Sequence, residues 1–109
     1  MRIAAALAFA LAAASSANAE TREECQATVE LAQREGIVRS LAASADGIEV
    51  VVDADAWGAM EFTTRLGMGS TIECAIVDEG ERLRAVLFRD HRTNRVLGRY
   101  SLGELVVGD

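Results

Sequence analysis

The chain has 109 residues, 50% of them hydrophobic, and carries 17 acidic residues against 11 basic ones, all arginine, for a net charge of −6 with histidine neutral. This acidic balance disfavours nucleic acid and anionic membrane surfaces as general partners, because like charges repel. A chain this short buries a modest core, so we expect one domain that depends on a cross-link for part of its stability.

The chain begins with the pattern of a signal peptide. A positive start is followed by an apolar run over residues 3–14 and by small residues before Glu20. The run is shorter than the roughly 20 residues that cross a bilayer, so it predicts a cleaved signal instead of a membrane anchor. We expect a signal peptide at residues 1–19, cleavage between Ala19 and Glu20, and a periplasmic or secreted mature domain at residues 20–109 without a transmembrane segment.

The mature chain is predicted to open with a helix and a β-hairpin. Residues 20–35 show a narrow apolar stripe at helical spacing, and Gly36 ends the helix. The stripe consists of Cys25, Thr28, Val29 and Ala32. Residues 37–41 and 48–52 are rich in β-branched side chains and form the two antiparallel strands, joined by a loop at 42–47.

Residues 53–79 are predicted to form one long amphipathic helix around which the other elements are organised. At about 100° per residue, its apolar side chains fall on one side, as expected of a helix that faces a core. This stripe consists of Trp57, Met60, Thr64, Met68, Thr71, Ile72, Ala75 and Ile76. Asp53 or Asp55 can cap its amino end, and Gly80 can terminate it.

Two glycines inside this segment leave an alternative open. Gly67 and Gly69 each destabilise a helix interior by about 1 kcal/mol relative to alanine. In the alternative, the helix ends near Leu66 and residues 70–77 form a strand. The inward side chains of that strand would be Ile72, Cys74 and Ile76. The continuous helix is the interpretation that we prefer.

A second hairpin is predicted after the helix. Its strands are residues 83–89 and 96–100, and the turn at 90–94 contains Asn94, which tolerates the left-handed conformation of a tight turn. The tail at 102–109 can cover a sheet edge or add a short strand. The order helix, two strands, helix, two strands (αββαββ) predicts an α+β fold, with a four-stranded antiparallel sheet and both helices on one face.

Four short motifs in residues 48–101 resemble those of a family of small exported bacterial domains. Here they read Val50-Val51-Val52-Asp53, Trp57, Val86-Leu87-Phe88-Arg89-Asp90 and Leu97-Gly98-Arg99-Tyr100-Ser101. The family pattern is a strand ending in V-x-V-D, a tryptophan opening a long helix, a hydrophobic strand ending in aspartate, and a closing L-[AG]-[KR]-Y-S. The chain departs from it at Asn94, where glycine is usual, and at Cys74, because the family's cysteine would fall nearer Ile76. The resemblance implies this fold and export, and implies no catalytic residue.

Cys25 and Cys74 are the two cysteines of the chain, each on or beside the inward stripe of a predicted helix. In an exported protein this favours a structural disulfide. A reactive pair, a metal-binding pair and two free thiols are the alternatives. The chain contains no CxxC motif and its single histidine lies in a distant turn, so we predict no metal site and no cofactor.

Two sets of residues invite a catalytic interpretation. Histidine is the usual general base of proteins, but His91 lies in a predicted exposed turn with no nucleophile beside it. Asp53, Asp55 and Glu61 can imitate a carboxylate pair or a calcium loop, although helix capping explains the two aspartates more simply. We therefore predict no catalytic residue.

The second hairpin concentrates positive charge near one turn of an otherwise acidic chain. The residues are Arg89, His91, Arg92, Arg95 and Arg99. Such a patch can bind an anionic partner, either an acidic protein surface or a phosphate or carboxylate group of the cell envelope, through bidentate guanidinium contacts. The alternative is a solvated hairpin whose arginines pair with neighbouring acids, namely Asp78, Glu79, Glu81 and Asp90.

Trp57 and Tyr100 are the large amphipathic aromatic residues. They can line a ligand groove, but core packing at a helix start and a strand end is the interpretation that we prefer. The predicted core anchors are Trp57, Met60, Ile72, Phe88 and Tyr100.

Three functional hypotheses follow from these observations. The first is a small exported binding module without catalysis, whose partner is an unknown protein or an anionic envelope component. The second is an inhibitor or accessory subunit of an envelope or host enzyme, with the loop at 90–94 as its contact. The third is a hydrolase, which would need two carboxylates that converge in a pocket beside Trp57.

Overall fold

The computed structural model describes residues 21–45, 47–77 and 85–108. These ranges contain three helices and five strands, in the order α1 (Arg22–Arg34), β1 (Val38–Ser44), β2 (Gly47–Val52), α2 (Ala54–Ala59), α3 (Phe62–Ile76), β3 (Ala85–Asp90), β4 (Val96–Ser101) and β5 (Glu104–Val107). The predicted signal peptide, the aspartate of the first hairpin loop, and the charged segment at 78–84 with its predicted helix terminator lie outside the described residues.

The first helix, α1, begins at a capping box. The hydroxyl of Thr21 accepts the backbone N–H of Glu24, and the Glu24 carboxylate accepts the backbone N–H of Thr21. These two residues satisfy N–H groups that have no partner within the helix. The Thr21 backbone and hydroxyl hydrogen bonds also hold the pKa of Glu24 below its usual value. Gly36, at φ +78°, lets the chain turn from α1 into the sheet.

The α+β class is confirmed, with two corrections to the sheet. The described sheet has five strands, in the order β1-β2-β3-β4-β5, instead of four. The fifth strand comes from the tail, and β5 pairs antiparallel with β4. In addition, β2 and β3 run parallel, so the sheet is mixed and not antiparallel throughout. Because two helices connect these strands, the chain returns to the starting end of β2 before β3 begins.

The prediction of a single helix at 53–79 is wrong, because the helix is interrupted after Ala59. The chain forms α2 and α3, separated by Met60 and Glu61, and Met60 is extended with φ −82° and ψ 144°. The bend allows Trp57 and Met60 both to be buried, at 4% and 7% exposure. The alternative strand at 70–77 is also wrong, because α3 continues through both glycines to Ile76.

Close packing against a strand explains one of those glycines. A Cβ atom built on Gly69 would lie 2.6 Å from the ring of Tyr100, well inside van der Waals contact. The absent side chain therefore lets α3 approach β4. The helix propensity lost at this position is offset by burial of the Tyr100 ring, which is 4% exposed.

The helices cover one face of the sheet, and the core lies between them. Trp57 from α2 packs on Phe88 from β3, with ring centroids 4.9 Å apart. The five predicted core anchors are all buried: Trp57, Met60, Ile72, Phe88 and Tyr100. No helix within the described residues is long and apolar enough to cross a membrane.

Candidate functional site

The predicted disulfide between Cys25 and Cys74 is confirmed. It joins α1 to α3 across 49 residues of sequence, with the two Cα atoms 5.9 Å apart. Beside it, Arg22 and Gln26 of α1 donate hydrogen bonds to the carbonyl oxygen of Ala75, at 3.3 and 3.0 Å. The bonded thiols leave no free cysteine among the described residues, so the disulfide serves to hold the two helices together.

A cluster of polar residues lies where β2 and β3 end. Because these two strands are parallel, their carboxyl ends lie side by side, and the residues that follow them meet. Asp53 follows β2, and His91 follows β3. This meeting was not predicted, because the two strands were expected to lie in separate antiparallel hairpins.

Asp53 is the best-connected side chain of this cluster. One carboxylate oxygen accepts a hydrogen bond from Arg39 at 2.8 Å, and the other accepts the backbone N–H of Ala56 at 2.9 Å, which caps α2. The Arg39 hydrogen bond, followed by that of the Ala56 N–H, holds the pKa of Asp53 below its usual value. The capping role expected for Asp53 is therefore present, together with an ion pair.

His91 connects the turn to the same helix start. Its Nδ1 accepts the backbone N–H of Ala54 at 3.0 Å, and its own backbone N–H donates to the carbonyl oxygen of Val52 at 3.1 Å. Its Nε2 lies 3.9 Å from a carboxylate oxygen of Asp53. The side chain is 20% exposed, so the structure places His91 in an anchoring position instead of the solvated turn that we expected.

The turn after β3 is held by its own hydrogen bonds as well. The Asp90 carboxylate accepts the backbone N–H groups of Arg92 and Thr93, at 2.6 and 3.3 Å. The Arg92 N–H is the main reason that the pKa of Asp90 lies below its usual value. Asn94 adopts φ +63°, the left-handed conformation expected from the sequence, and its N–H donates to the Asp90 carbonyl oxygen.

Of the five predicted contact residues, three lie in the turn, and Arg89 and Arg99 lie on the strands beside it. Arg89 also donates to the carbonyl oxygen of Asn94 in the turn, at 2.9 Å. Arg89 pairs with Glu49 at 3.1 Å, and Arg92 pairs with Asp55 at 2.8 Å. Arg99 lies between two buried residues of β4, so its side chain is on the sheet face away from the helices. Arg92 and Arg95 remain together at the exposed tip of the turn, which we call the loop tip and define as residues 92–95. The predicted pairings with Asp78, Glu79 and Glu81 lie outside the described residues.

A pocket of about 350 Å³ lies beside the loop tip. Trp57 and Arg65 line it from the helices, and strand residues and the turn complete it. The guanidinium carbon of Arg65 lies 4.9 Å from the centroid of the Trp57 ring. Sequence reasoning missed Arg65, because the bend between α2 and α3 brings it back over Trp57 and no sequence pattern indicated that bend.

The acidic set Asp53, Asp55 and Glu61 is not brought together at this pocket, whose lining includes none of the three. Asp55 is 70% exposed in its pair with Arg92, and Glu61 precedes α3 without a side-chain capping bond. Within the described residues, no group of three or more histidine, cysteine, aspartate or glutamate side chains is arranged to bind a metal ion.

Comparisons with protein-family models, curated proteins and solved structures find no significant match to this chain. The resemblance of residues 48–101 to small exported domains therefore stays a prediction from its motifs.

Proposed function

We propose that this protein is a small exported binding module without catalysis, which contacts a partner through the loop tip. The observation that supports this proposal is the contrast between the two parts of the turn. Its first residues, Asp90 and His91, are tied to the backbone of the turn and of α2, whereas the tip residues are exposed.

The fixed shape of the turn favours binding because little conformational entropy is lost when the partner docks. The charge of the tip favours an anionic partner. Arg92 is 57% exposed even in its pair with Asp55, and Arg95 is exposed as well. Two guanidinium groups can make charge-assisted hydrogen bonds to carboxylates or phosphates, so the partner is an acidic protein surface or an anionic component of the envelope.

Site-specific cross-linking tests this proposal. A photoreactive amino acid at Thr93, in the loop tip, should give a discrete adduct in intact cells. The same amino acid at Ala42, which is exposed on the sheet face away from the helices, should not give it. Changing Arg92→Glu and Arg95→Glu together should abolish the Thr93 adduct, whereas Arg99→Glu on the sheet face should leave it. The proposal is wrong if Ala42 and Thr93 give the same adducts, or if the double variant cross-links as the parent does.

A second candidate is an inhibitor or accessory subunit of an envelope or host enzyme. The pre-organised turn supports it, because enzyme inhibitors of this kind bind with little change in backbone conformation. This candidate predicts that the Thr93 adduct contains an enzyme whose activity changes when the purified protein is added. If the activity of that enzyme does not change, the inhibitor candidate is wrong and only the binding-module proposal is supported. The hydrolase hypothesis gains no support from the geometry, since Asp53 and Asp55 do not converge beside Trp57.

A further inference from the structure

The pocket beside Trp57 contains the positive charge of Arg65, which the fold holds in a fixed position. Two nitrogens of Arg65, Nε and Nη2, donate to the carbonyl oxygen of Trp57 at 3.1 and 2.8 Å, and the guanidinium group also lies over the Trp57 ring. Arg65 is half-buried, and no carboxylate pairs with it among the described residues. Its cation is therefore held in one place by neutral partners.

The geometry of those hydrogen bonds leaves one edge of the guanidinium group available. Nε–H and the neighbouring N–H of Nη2 converge on the single Trp57 oxygen. Nη1 and the second N–H of Nη2 form the end of the planar fork. This end matches the two oxygens of a carboxylate in a bidentate pair.

The rest of the pocket is suited to an apolar group. Leu97 and Val107 contribute aliphatic surface beside Trp57. Val107 is 42% exposed, so part of this aliphatic surface is accessible to a ligand. Asp90 also lines the pocket, but its carboxylate already accepts two backbone N–H groups.

We infer that this pocket binds an aliphatic carboxylate, with the carboxylate on Arg65 and the aliphatic part against Trp57, Leu97 and Val107. A pocket of about 350 Å³ is at the small end of ligand sites, which suits one such group and not a large cofactor. The carboxylate belongs either to the end of a peptide with an apolar last residue or to a short free fatty acid. This ligand goes beyond the partner contact proposed for the loop tip.

Trp57 is the single tryptophan of the chain, so its fluorescence reports directly on the pocket. The disulfide-bonded protein should be titrated with N-acetyl-leucine, which imitates a peptide end, with octanoate, and with uncharged N-acetyl-leucinamide. Isothermal titration calorimetry on the same solutions measures binding without depending on the environment of Trp57. We expect saturable binding of at least one carboxylate and at least tenfold weaker binding of the amide. The carboxylate that binds more tightly identifies the source.

Three variants distinguish a specific contact of Arg65 with the carboxylate from an effect of the net charge of the protein. Arg65→Gln should weaken carboxylate binding at least tenfold, and Arg65→Lys, which keeps the charge but loses the planar fork, should weaken it by less. Arg99→Gln, which removes one arginine from the opposite sheet face, should leave binding unchanged. If Arg65→Gln does not fold, the comparison of acid and amide on the parent protein still decides the question.

The inference is overturned if neither carboxylate binds saturably, if the amide binds as tightly as the acid, or if Arg99→Gln weakens binding as much as Arg65→Gln. Thr93 and Arg95 of the loop tip also line the pocket. The two proposals still fail separately, because the titration measures small ligands and the cross-linking at Thr93 reports a macromolecular partner.

Discussion

The helix pair and the turn after β3 are held in place by different means. A disulfide and buried apolar side chains join α1 to α3, where Met68 and Ile72 are both fully buried. The turn after β3 is anchored to α2 by the hydrogen bond from the Ala54 backbone N–H to His91 and by the ion pair of Arg92 with Asp55. Apolar and covalent contacts stabilise the fold, whereas directional polar contacts fix the shape of a surface without covering it.

The helix pair therefore contributes mainly to stability, and the turn after β3 mainly to recognition. Polar contacts to backbone groups determine where the turn lies, and each contributes only about 1 kcal/mol net. Burial and the cross-link contribute more, but they require surfaces that are no longer available to a partner. Changes in the helix pair should therefore alter the free energy of unfolding, and changes at the turn should mainly alter binding.

The largest expected effect is on the helix pair. Replacing both cysteines, Cys25→Ser and Cys74→Ser, should lower the free energy of unfolding by about 4 kcal/mol, because a cross-link that closes a loop of this length restricts the unfolded chain by that amount. Urea denaturation of the parent and the double variant measures the difference. The parent treated with reductant serves as the matched control and should resemble the variant.

Thiol alkylation checks the same prediction independently. The parent should react with an alkylating reagent only after reduction. Rapid labelling of both cysteines without reductant, or a double variant as stable as the parent, would show that the helices are held together by packing alone.

A smaller effect is expected where α3 meets the sheet. Gly69→Ala places a methyl group against the Tyr100 ring and should destabilise the protein by about 2 kcal/mol, because overpacking exceeds the gain in helix propensity. Gly58→Ala in α2 is the matched control, since a Cβ atom there meets nothing within 4 Å. It should be neutral or stabilising by up to about 1 kcal/mol. Equal effects of the two changes in urea denaturation would contradict the packing argument.

The sequence contained most of the information for the helix pair. Apolar periodicity in residues 20–35 indicated the first helix, and two cysteines in a chain with the pattern of an exported protein indicated the cross-link. Helix propensity was less informative, because Gly67 and Gly69 suggested a break in α3 that does not occur. The actual bend is at Met60, where burial of two large side chains determines the path of the chain, and such tertiary packing is not visible in local patterns.

The turn and the pocket were predicted only in part. The positive charge of the second hairpin was evident, and so was the left-handed conformation at Asn94. The roles of His91 and Arg65 depend on which strands are neighbours and on the bend between α2 and α3. A parallel pairing of β2 with β3 was not considered, and without it Asp53 and His91 have no reason to meet.

The smallest expected effect is at Asp53, and it depends on pH. Its pKa is lowered in the folded protein, first by the Arg39 hydrogen bond, so the unfolded chain binds a proton at higher pH than the folded one does. The stabilisation is complete above the usual aspartate pKa of about 3.9 and is lost as the pH falls through the lower pKa of the folded state. Asp53→Asn keeps a capping oxygen for Ala56 but loses the charge, and should destabilise the protein by about 1 kcal/mol at pH 7.

The difference in free energy of unfolding between the parent and Asp53→Asn should become smaller at low pH. Protonation of Asp53 removes from the parent the charge that the variant lacks at every pH. Urea denaturation of both proteins at pH 7 and pH 3 measures it. Other carboxyl groups with lowered pKa values, such as Asp90 and Glu24, titrate in both proteins and cancel in the comparison. Asp55→Asn is the control, since that side chain is 70% exposed and should show little difference at either pH. A gap between parent and Asp53→Asn that is the same at both pH values would mean that hydrogen-bond geometry, and not the charge of Asp53, anchors the start of α2.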